Sequence, residues 1–264
     1  MGVGRGKPHR IELAADNMTN IPVGAPRRRR LFGLAFLVVG LMVVSVANLE
    51  VTTRQGVNFE VSTHQLPLYV KALEFIDRSV QYQQIADEVT RSAVSDEDRA
   101  LKVFDWTRRQ IRRTPDGWPI VDDHILHIII RGHGVNDQQA DVFATLTTYA
   151  GVPAFWGKVG HDRAGVILSF AYIEGQWRVF DVFNGVVFRN PTGGLATMAD
   201  LKNRPNLVPA SMRSVAVEEG VAYRDILTRA LMPAVPDPLR AELQMPSTRL
   251  WHEMKVALRL ELPR

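Results

Sequence analysis

Four consecutive arginines, Arg27 to Arg30, stand directly before seventeen residues without a charged side chain, Leu31 to Ala47 (LFGLAFLVVGLMVVSVA). Only Ser45 in that run is polar, and it is small. A helix satisfies its own backbone hydrogen bonds, which lipid cannot do. Seventeen residues sit at the short end of a membrane-crossing length, and Asn48 and Leu49 extend them. The run is therefore expected to form a single transmembrane helix over residues 31–49, in contact with lipid. A buried core helix fits less well, because such a helix seldom follows four arginines and this one has no polar face. The arginines set the orientation by the positive-inside rule. Residues 1–30 are expected in the cytoplasm, and the C-terminal domain on the outer, periplasmic or extracellular, side. Ser45-Val46-Ala47 has the small-x-small form that signal peptidases cut, so removal after Ala47 stays open. The thirty-residue leader is long for a signal peptide and favours an uncleaved anchor. The leader is rich in Gly, Pro, Asn and Arg and reads as a flexible tail.

The charge balance follows the same division. The chain of 264 residues carries +4 overall. Residues 1–30 hold seven basic side chains against Glu12 and Asp16, which leaves +5 there and −1 over residues 49–264. The exported part lacks the basic footprint of a nucleic-acid binder, and none is expected as a partner. Cysteine is absent. That excludes disulfides, thiolate metal sites and any thiol nucleophile.

Beyond the anchor, residues 50–94 read as a linker or edge strand followed by a helix over 66–92, with apolar residues near helical spacing. Ser95 is a helix cap with Asp96, Glu97 and Asp98 near the positive end. The helix after it carries Trp106 and stops before Pro115. A second apolar stretch, 120–130, reads as helical and breaks at Gly132 and Gly134. Asn136 is an N-cap for a helix with Ala140, Val142, Phe143, Leu146 and Tyr149 on its apolar face, ended by Gly151 and Pro153. Two strands, 166–173 and 176–183, flank the turn Glu174-Gly175. A two-residue turn pairs Tyr172 with Trp177 and Phe170 with Val179. One face of this hairpin then holds Val166, Leu168, Phe170, Tyr172, Trp177, Val179, Asp181 and Phe183. Residues 215–232 and 238–259 read as helices of a C-terminal extension, 211–264. Helices followed by strands predict an α+β fold.

The stretch Gly134-Val135-Asn136 to Phe143, running on to Gly151-Val152-Pro153-Ala154, resembles the core of the transglutaminase-like superfamily. Trp177-Arg178-Val179-Phe180-Asp181 is similar to that family's Trp-x-x-x-Asp strand. The resemblance covers about residues 95–185, within an expected domain of 95–210. It implies a papain-like α+β core, in which a helix packs on an antiparallel sheet. It also implies a catalytic cysteine at the start of the helix, a histidine on the first strand and an aspartate on the second. Those roles fall on Asn136, Val166 and Asp181. Only the aspartate is retained, so no intact triad is expected. Asp181 lies on an otherwise apolar face, and is expected to accept hydrogen bonds from backbone amides or a polar side chain.

Asp137 beside Asn136 reads as charge stabilisation of the helix start. His161 is a candidate substitute base. Asn136, Asp137, Trp156, His161, Trp177 and Asp181 are the candidate lining of a binding cleft, with Tyr172 as a further aromatic. His124, His127 and His133 with Asp122 and Asp123 read as ordinary core or surface residues, so neither metal nor cofactor is expected. Arg108, Arg109, Arg112 and Arg113 read as a solvated face at the negative end of a helix. Three functional readings follow. The first is a membrane-anchored transglutaminase-like pseudoenzyme that binds a peptide, protein or polysaccharide partner, or scaffolds an envelope complex. The second is a non-thiol hydrolase pairing an aspartate with His161 or His133. The third is a structural membrane-complex subunit.

Overall fold

The computed structural model describes residue 2 and residues 25–122, 124–161, 164–217, 220–229 and 237–257. The leader, read as a flexible tail, therefore lies outside the described residues apart from Gly2 and the backbone of 25–30, and so do Asp123 and the stretch 230–236. The chain divides into two compact units, Met1–Leu49 and Glu50–Arg264.

The first unit is helix α1, Ala25–Ala47. From Leu31 to Val46 every side chain is exposed, with Phe36 at 85%. Among the described residues no helix is long and apolar enough to cross a membrane. Of the stretch 31–49 expected for a span, α1 covers Leu31 to Ala47. Asn48 and Leu49 do not lengthen the helix, which stops at Ala47.

The second unit begins with a hairpin where a linker or edge strand was expected. Strands β1 (Glu50–Val57) and β2 (Glu60–Pro67) pair in full register from Glu50↔Pro67 to Val57↔Glu60. The turn residues Asn58 and Phe59 both have positive φ, at 49° and 69°. This is the left-handed geometry that suits a two-residue turn to strand twist. Helix α2 follows over Leu68–Thr90. Helix α3, Asp96–Gln110, starts as expected, with the Ser95 hydroxyl accepting from the Asp98 amide at 3.1 Å. Strand β3 (Arg112–Arg113) comes next, then β4 (Val121–Asp122), which adds to β1. The apolar stretch expected as one helix thus splits into β4 and α4, Ile125–Arg131. Strand β5 (His133–Gly134) runs parallel to β3. It leads directly into α5, Asn136–Tyr149.

Helix α5 is the centre of this unit. Every residue from Gln138 to Tyr149 is buried. Gly151, at φ 87°, turns the chain out of it. The meander β6 (Ala154–His161), β7 (Ala164–Ile173), β8 (Gln176–Asp181) and β9 (Val186–Val187) then forms a four-stranded antiparallel sheet. Tyr172 pairs with Trp177 and Phe170 with Val179, the register that the Glu174-Gly175 turn dictates. Helices α6 (Met198–Asn203), α7 (Ala210–Arg213), α8 (Tyr223–Arg229), α9 (Leu239–Glu242) and α10 (Pro246–Ala257) complete the described chain.

Both faces of the sheet are covered. On one face Ala154, Ala171, Ile173 and Phe180 join Tyr82, Val103, Phe104, Phe143 and Leu146 of α2, α3 and α5. On the other, Val166, Leu168, Phe170 and Val179 join Leu201 of α6 and Tyr223, Ile226 and Leu227 of α8. Residues 211–264, read as an extension, thereby supply part of the second core. The outcome is a mixed α+β unit of helices and antiparallel sheets.

Candidate functional site

The site begins where β5 hands over to α5. Asn136 is exposed and is the first helical residue, one position inside the cap expected for it. Its Oδ1 accepts from the Asp137 amide at 2.8 Å, and Asp137 Oδ1 accepts from the Gln138 amide at 2.9 Å. These two side chains satisfy amides that a helix start leaves without intrahelical acceptors. Asp137 adds negative charge at the positive end of the dipole. Behind them Gln138 donates to the Val121 carbonyl at 2.7 Å, and Gln139 donates to the Gly134 carbonyl at 3.2 Å. The helix start is thus tied to the two short strands beside it.

Val166 and Asp181 lie on the sheet face turned away from α5. Val166 is buried in the cluster with Phe170 and Leu201. Asp181 is 1% exposed. Its Oδ1 accepts from the Asn184 amide at 2.9 Å, and its Oδ2 accepts from Asn184 Nδ2 at 2.9 Å and from the Tyr223 hydroxyl at 2.5 Å. Burial pushes the Asp181 carboxyl above the usual range, while the bonds from Tyr223 and Asn184 pull the other way. Burial also raises the Tyr223 hydroxyl, and the adjacent Asp181 raises it further. Sequence reasoning missed both partners. The Asp-x-x-Asn spacing of Asp181 and Asn184 is a local turn signal that would have found one. Nothing local marks Tyr223, forty-two residues away.

Among the described residues no hydrogen bond joins Asn136 to Val166 or Asp181. Val166 and Asp181 share one face of the sheet, and Asn136 begins the helix that packs on the other. The aromatic candidates separate likewise. Trp156 is on the α5 face, where its Nε1 donates to Asp141 Oδ1 at 2.9 Å. Arg240 of α9 meets Asp141 Oδ2 at 2.7 Å and lies 4.6 Å over the Trp156 ring. Burial raises the Asp141 carboxyl, and Arg240 counteracts this. Trp177 is on the opposite face, against Phe155 at 4.8 Å and Tyr172 at 5.1 Å. His161 ends β6, and its side chain lies outside the described residues. His133 meets the Thr114 hydroxyl at 3.3 Å and the Trp118 ring at 5.3 Å. Among the described residues no carboxylate is hydrogen-bonded to it, so the aspartate–histidine pair that a hydrolase reading needs is not found there.

Among the described residues, three cavities on the second unit bear on the site. One of about 510 Å³ lies between the start of α3 and the β7–β8 turn, lined by Ser95, Leu101 and Glu174. One of about 470 Å³ lies at the β3–β5 ladder just before α5, and one of about 380 Å³ beside Arg108 and Gly185. None of the three is lined by Asn136, Asp137, Trp156 or Trp177. Gly185, at φ 71°, lies directly under Arg108, and a Cβ there would fall 0.8 Å from the guanidinium.

No family model and no curated protein matches the chain. Three solved structures overlap it in part. A proposed protease from Parabacteroides distasonis overlaps with a TM-score of 0.33 and 14% identity, over 39% of this chain and 23% of that one. A proposed cysteine protease from Cytophaga hutchinsonii overlaps with a TM-score of 0.36 and 19% identity, over 45% and 40%. A TGase crystal structure overlaps with a TM-score of 0.32 and 11% identity, over 62% and 49%. The chain therefore spans between about a quarter and a half of the length of these structures.

Proposed function

We propose that residues 50–264 form a transglutaminase-like domain without thiol chemistry, which binds a peptide, protein or polysaccharide partner of the cell envelope at the surface around the start of α5. The observation that carries this reading is the state of the retained aspartate. Asp181 is held by Tyr223 and Asn184, with all three bonds donated to it and no histidine among them. In a working triad the carboxylate orients an imidazole. Here, among the described residues, three of its roughly four acceptor positions are taken by structural donors. The motif residues Gly134, Gly151-Val152-Pro153-Ala154 and Trp177 to Asp181 support the family reading, and Asn136 stands where the nucleophile would. Asparagine supplies no thiolate, and no cysteine elsewhere replaces it.

The membrane role belongs to the same proposal. The exposed apolar ring of α1 and the four arginines at its start support attachment to a bilayer, with residues 49–264 on the outer side. An apolar stretch a few Å short is accommodated by local bilayer thinning and by flanking side chains that reach to the interface. Protease protection of the full chain in spheroplasts tests the orientation. Degradation of the domain from outside is expected, and full protection contradicts it.

The experiment for the catalytic half is turnover by the full chain against a peptide library, read both as hydrolysis and as amine incorporation at glutamine. No turnover above the Asp181→Ala background is expected. Turnover abolished by Asp181→Asn or Asp137→Asn would establish a non-thiol enzyme instead.

A further inference from the structure

The cavity of about 470 Å³ at the β3–β5 ladder is lined by Arg109, Arg112, Arg113, Arg131, His133 and Trp118, among others. A helix end explains basic residues at 108 and 109, because cations suit its negative end. It does not explain what the fold adds. The parallel ladder sets Arg112 opposite His133 and Arg113 opposite Gly134. It thereby brings a basic pair from one segment against Arg131 and His133 from another.

Two of the guanidiniums are held in place by hydrogen bonds. Arg113 donates to Asn184 Oδ1 at 3.0 Å and to the Phe183 carbonyl at 3.3 Å, and lies 4.1 Å over the Phe183 ring. Arg131 donates to the carbonyls of His133 at 3.0 Å and Val121 at 3.1 Å, and to Gln138 Oε1 at 3.3 Å. Among the described residues Arg109, Arg112 and Arg113 make no ion pair, and no carboxylate lines the cavity. Like charges gathered on ordered side chains repel one another, and an anion with several acceptor oxygens relieves this. Burial and the neighbouring Arg131 hold His133 below its ordinary pKa, which agrees with a positive local potential. Trp118 stands edge-on to His133 and is 57% exposed, a large aromatic surface left open at the rim.

We propose that this pocket binds a phosphate group, received by Arg109, Arg112, Arg113 and Arg131 with His133, while Trp118 covers the organic part that carries it. Planar guanidiniums match phosphate oxygens in forked pairs, which distinguishes this site from a diffuse basic face. The phosphate arrives on a soluble ester or on a lipid headgroup. The site is independent of the reading of the α5 start as a lost catalytic centre.

The test is calorimetric titration of the full chain in a phosphate-free detergent. Inorganic pyrophosphate serves as the soluble probe and sn-glycerol 1-phosphate as the headgroup probe, at ionic strength matched with chloride. One saturable site is expected, and the tighter probe identifies the source. Arg109→Ala with Arg112→Ala is expected to weaken binding about tenfold or more, through loss of charge-assisted hydrogen bonds. Arg54→Ala with Arg91→Ala removes the same charge elsewhere and is expected to leave binding unchanged. Should the first pair fail to fold, Arg112→Ala alone is compared with Arg91→Ala. No saturable binding of either probe, or equal weakening by both sets of variants, overturns the proposal.

Discussion

Helices α1 and α5 invert the usual relation between composition and burial. α1 is apolar from Leu31 to Ala47, yet its side chains from Leu31 to Val46 are all exposed. α5 contains Gln138, Gln139, Asp141, Thr145, Thr147 and Thr148, and buries every one. The difference lies in what each helix finds around it. Five of its neighbours, α2, α3, α4, α9 and β6, enclose α5, and protein groups satisfy four of these six side chains, while among the described residues the hydroxyls of Thr145 and Thr147 find no partner. Gln138 and Gln139 reach carbonyls of the preceding strands, Asp141 reaches Trp156 and Arg240, and Thr148 returns to the Ala144 carbonyl at 2.8 Å. Among the described residues α1 has no such enclosure within its own unit.

The largest expected effect separates the two helices. Phe143→Ala removes a fully buried ring that packs 5.1 Å from Phe180 and 6.3 Å from Phe104, and is expected to cost about 3–5 kcal/mol. Leu41→Ala in α1 is expected to leave the denaturation midpoint of residues 50–264 unchanged. Chemical denaturation followed by tryptophan fluorescence measures both, and equal losses would break the comparison. Next in size is Tyr223→Phe. It deprives a buried carboxylate of a donor and is expected to cost about 1–3 kcal/mol in the same assay. Arg240→Ala is expected to cost about 1 kcal/mol, because the guanidinium is 61% exposed and water replaces part of what it supplies to Asp141.

The dependence on pH has a definite sign. Burial raises the carboxyls of Asp141 and Asp181 in the folded state. The folded protein therefore holds their protons more tightly than the unfolded chain does. Their contribution is fully present below the unfolded value, about 4, and is lost as pH rises through the raised folded values. Asp141→Asn is expected to flatten that decline, measured as the urea midpoint from pH 4 upward, and an unchanged slope would contradict it. The smallest effect belongs to Thr145→Val. Among the described residues the Thr145 hydroxyl is buried without a hydrogen-bond partner, so its removal is expected to be neutral or to stabilise by up to about 1 kcal/mol.

The parts legible in the sequence were those governed by neighbours along the chain. Ser95 and its acidic turn predicted α3, Gly151 predicted the end of α5, and Glu174-Gly175 predicted the register of β7 and β8. The expectation that Asp181 would accept hydrogen bonds followed from its apolar neighbours on the strand. The hairpin β1–β2 was harder to read, because its turn puts Phe59, a bulky residue, at positive φ where glycine is the usual signal. Alternation gave the grouping of Val166, Asp181 and Trp177 on one face, but not which face would meet α5. Both faces are apolar, and helices cover both. Tyr223 against Asp181, Arg240 against Asp141, and Arg131 and His133 beside Arg112 and Arg113 are long-range pairings. A single sequence carries no periodic signal for such pairings.

On the function proposed above, Asn136 stands at the position of a lost nucleophile, at the positive end of the α5 dipole. Asn136→Cys tests it most directly, because the chain has no other cysteine and every alkylation event reports on that position. The measurement is the rate of iodoacetamide modification of the full chain against pH. The start of a fourteen-residue helix is expected to hold the thiol below its ordinary value of about 8.5, while peptide turnover stays absent. A thiol that titrates at or above that value would contradict the account.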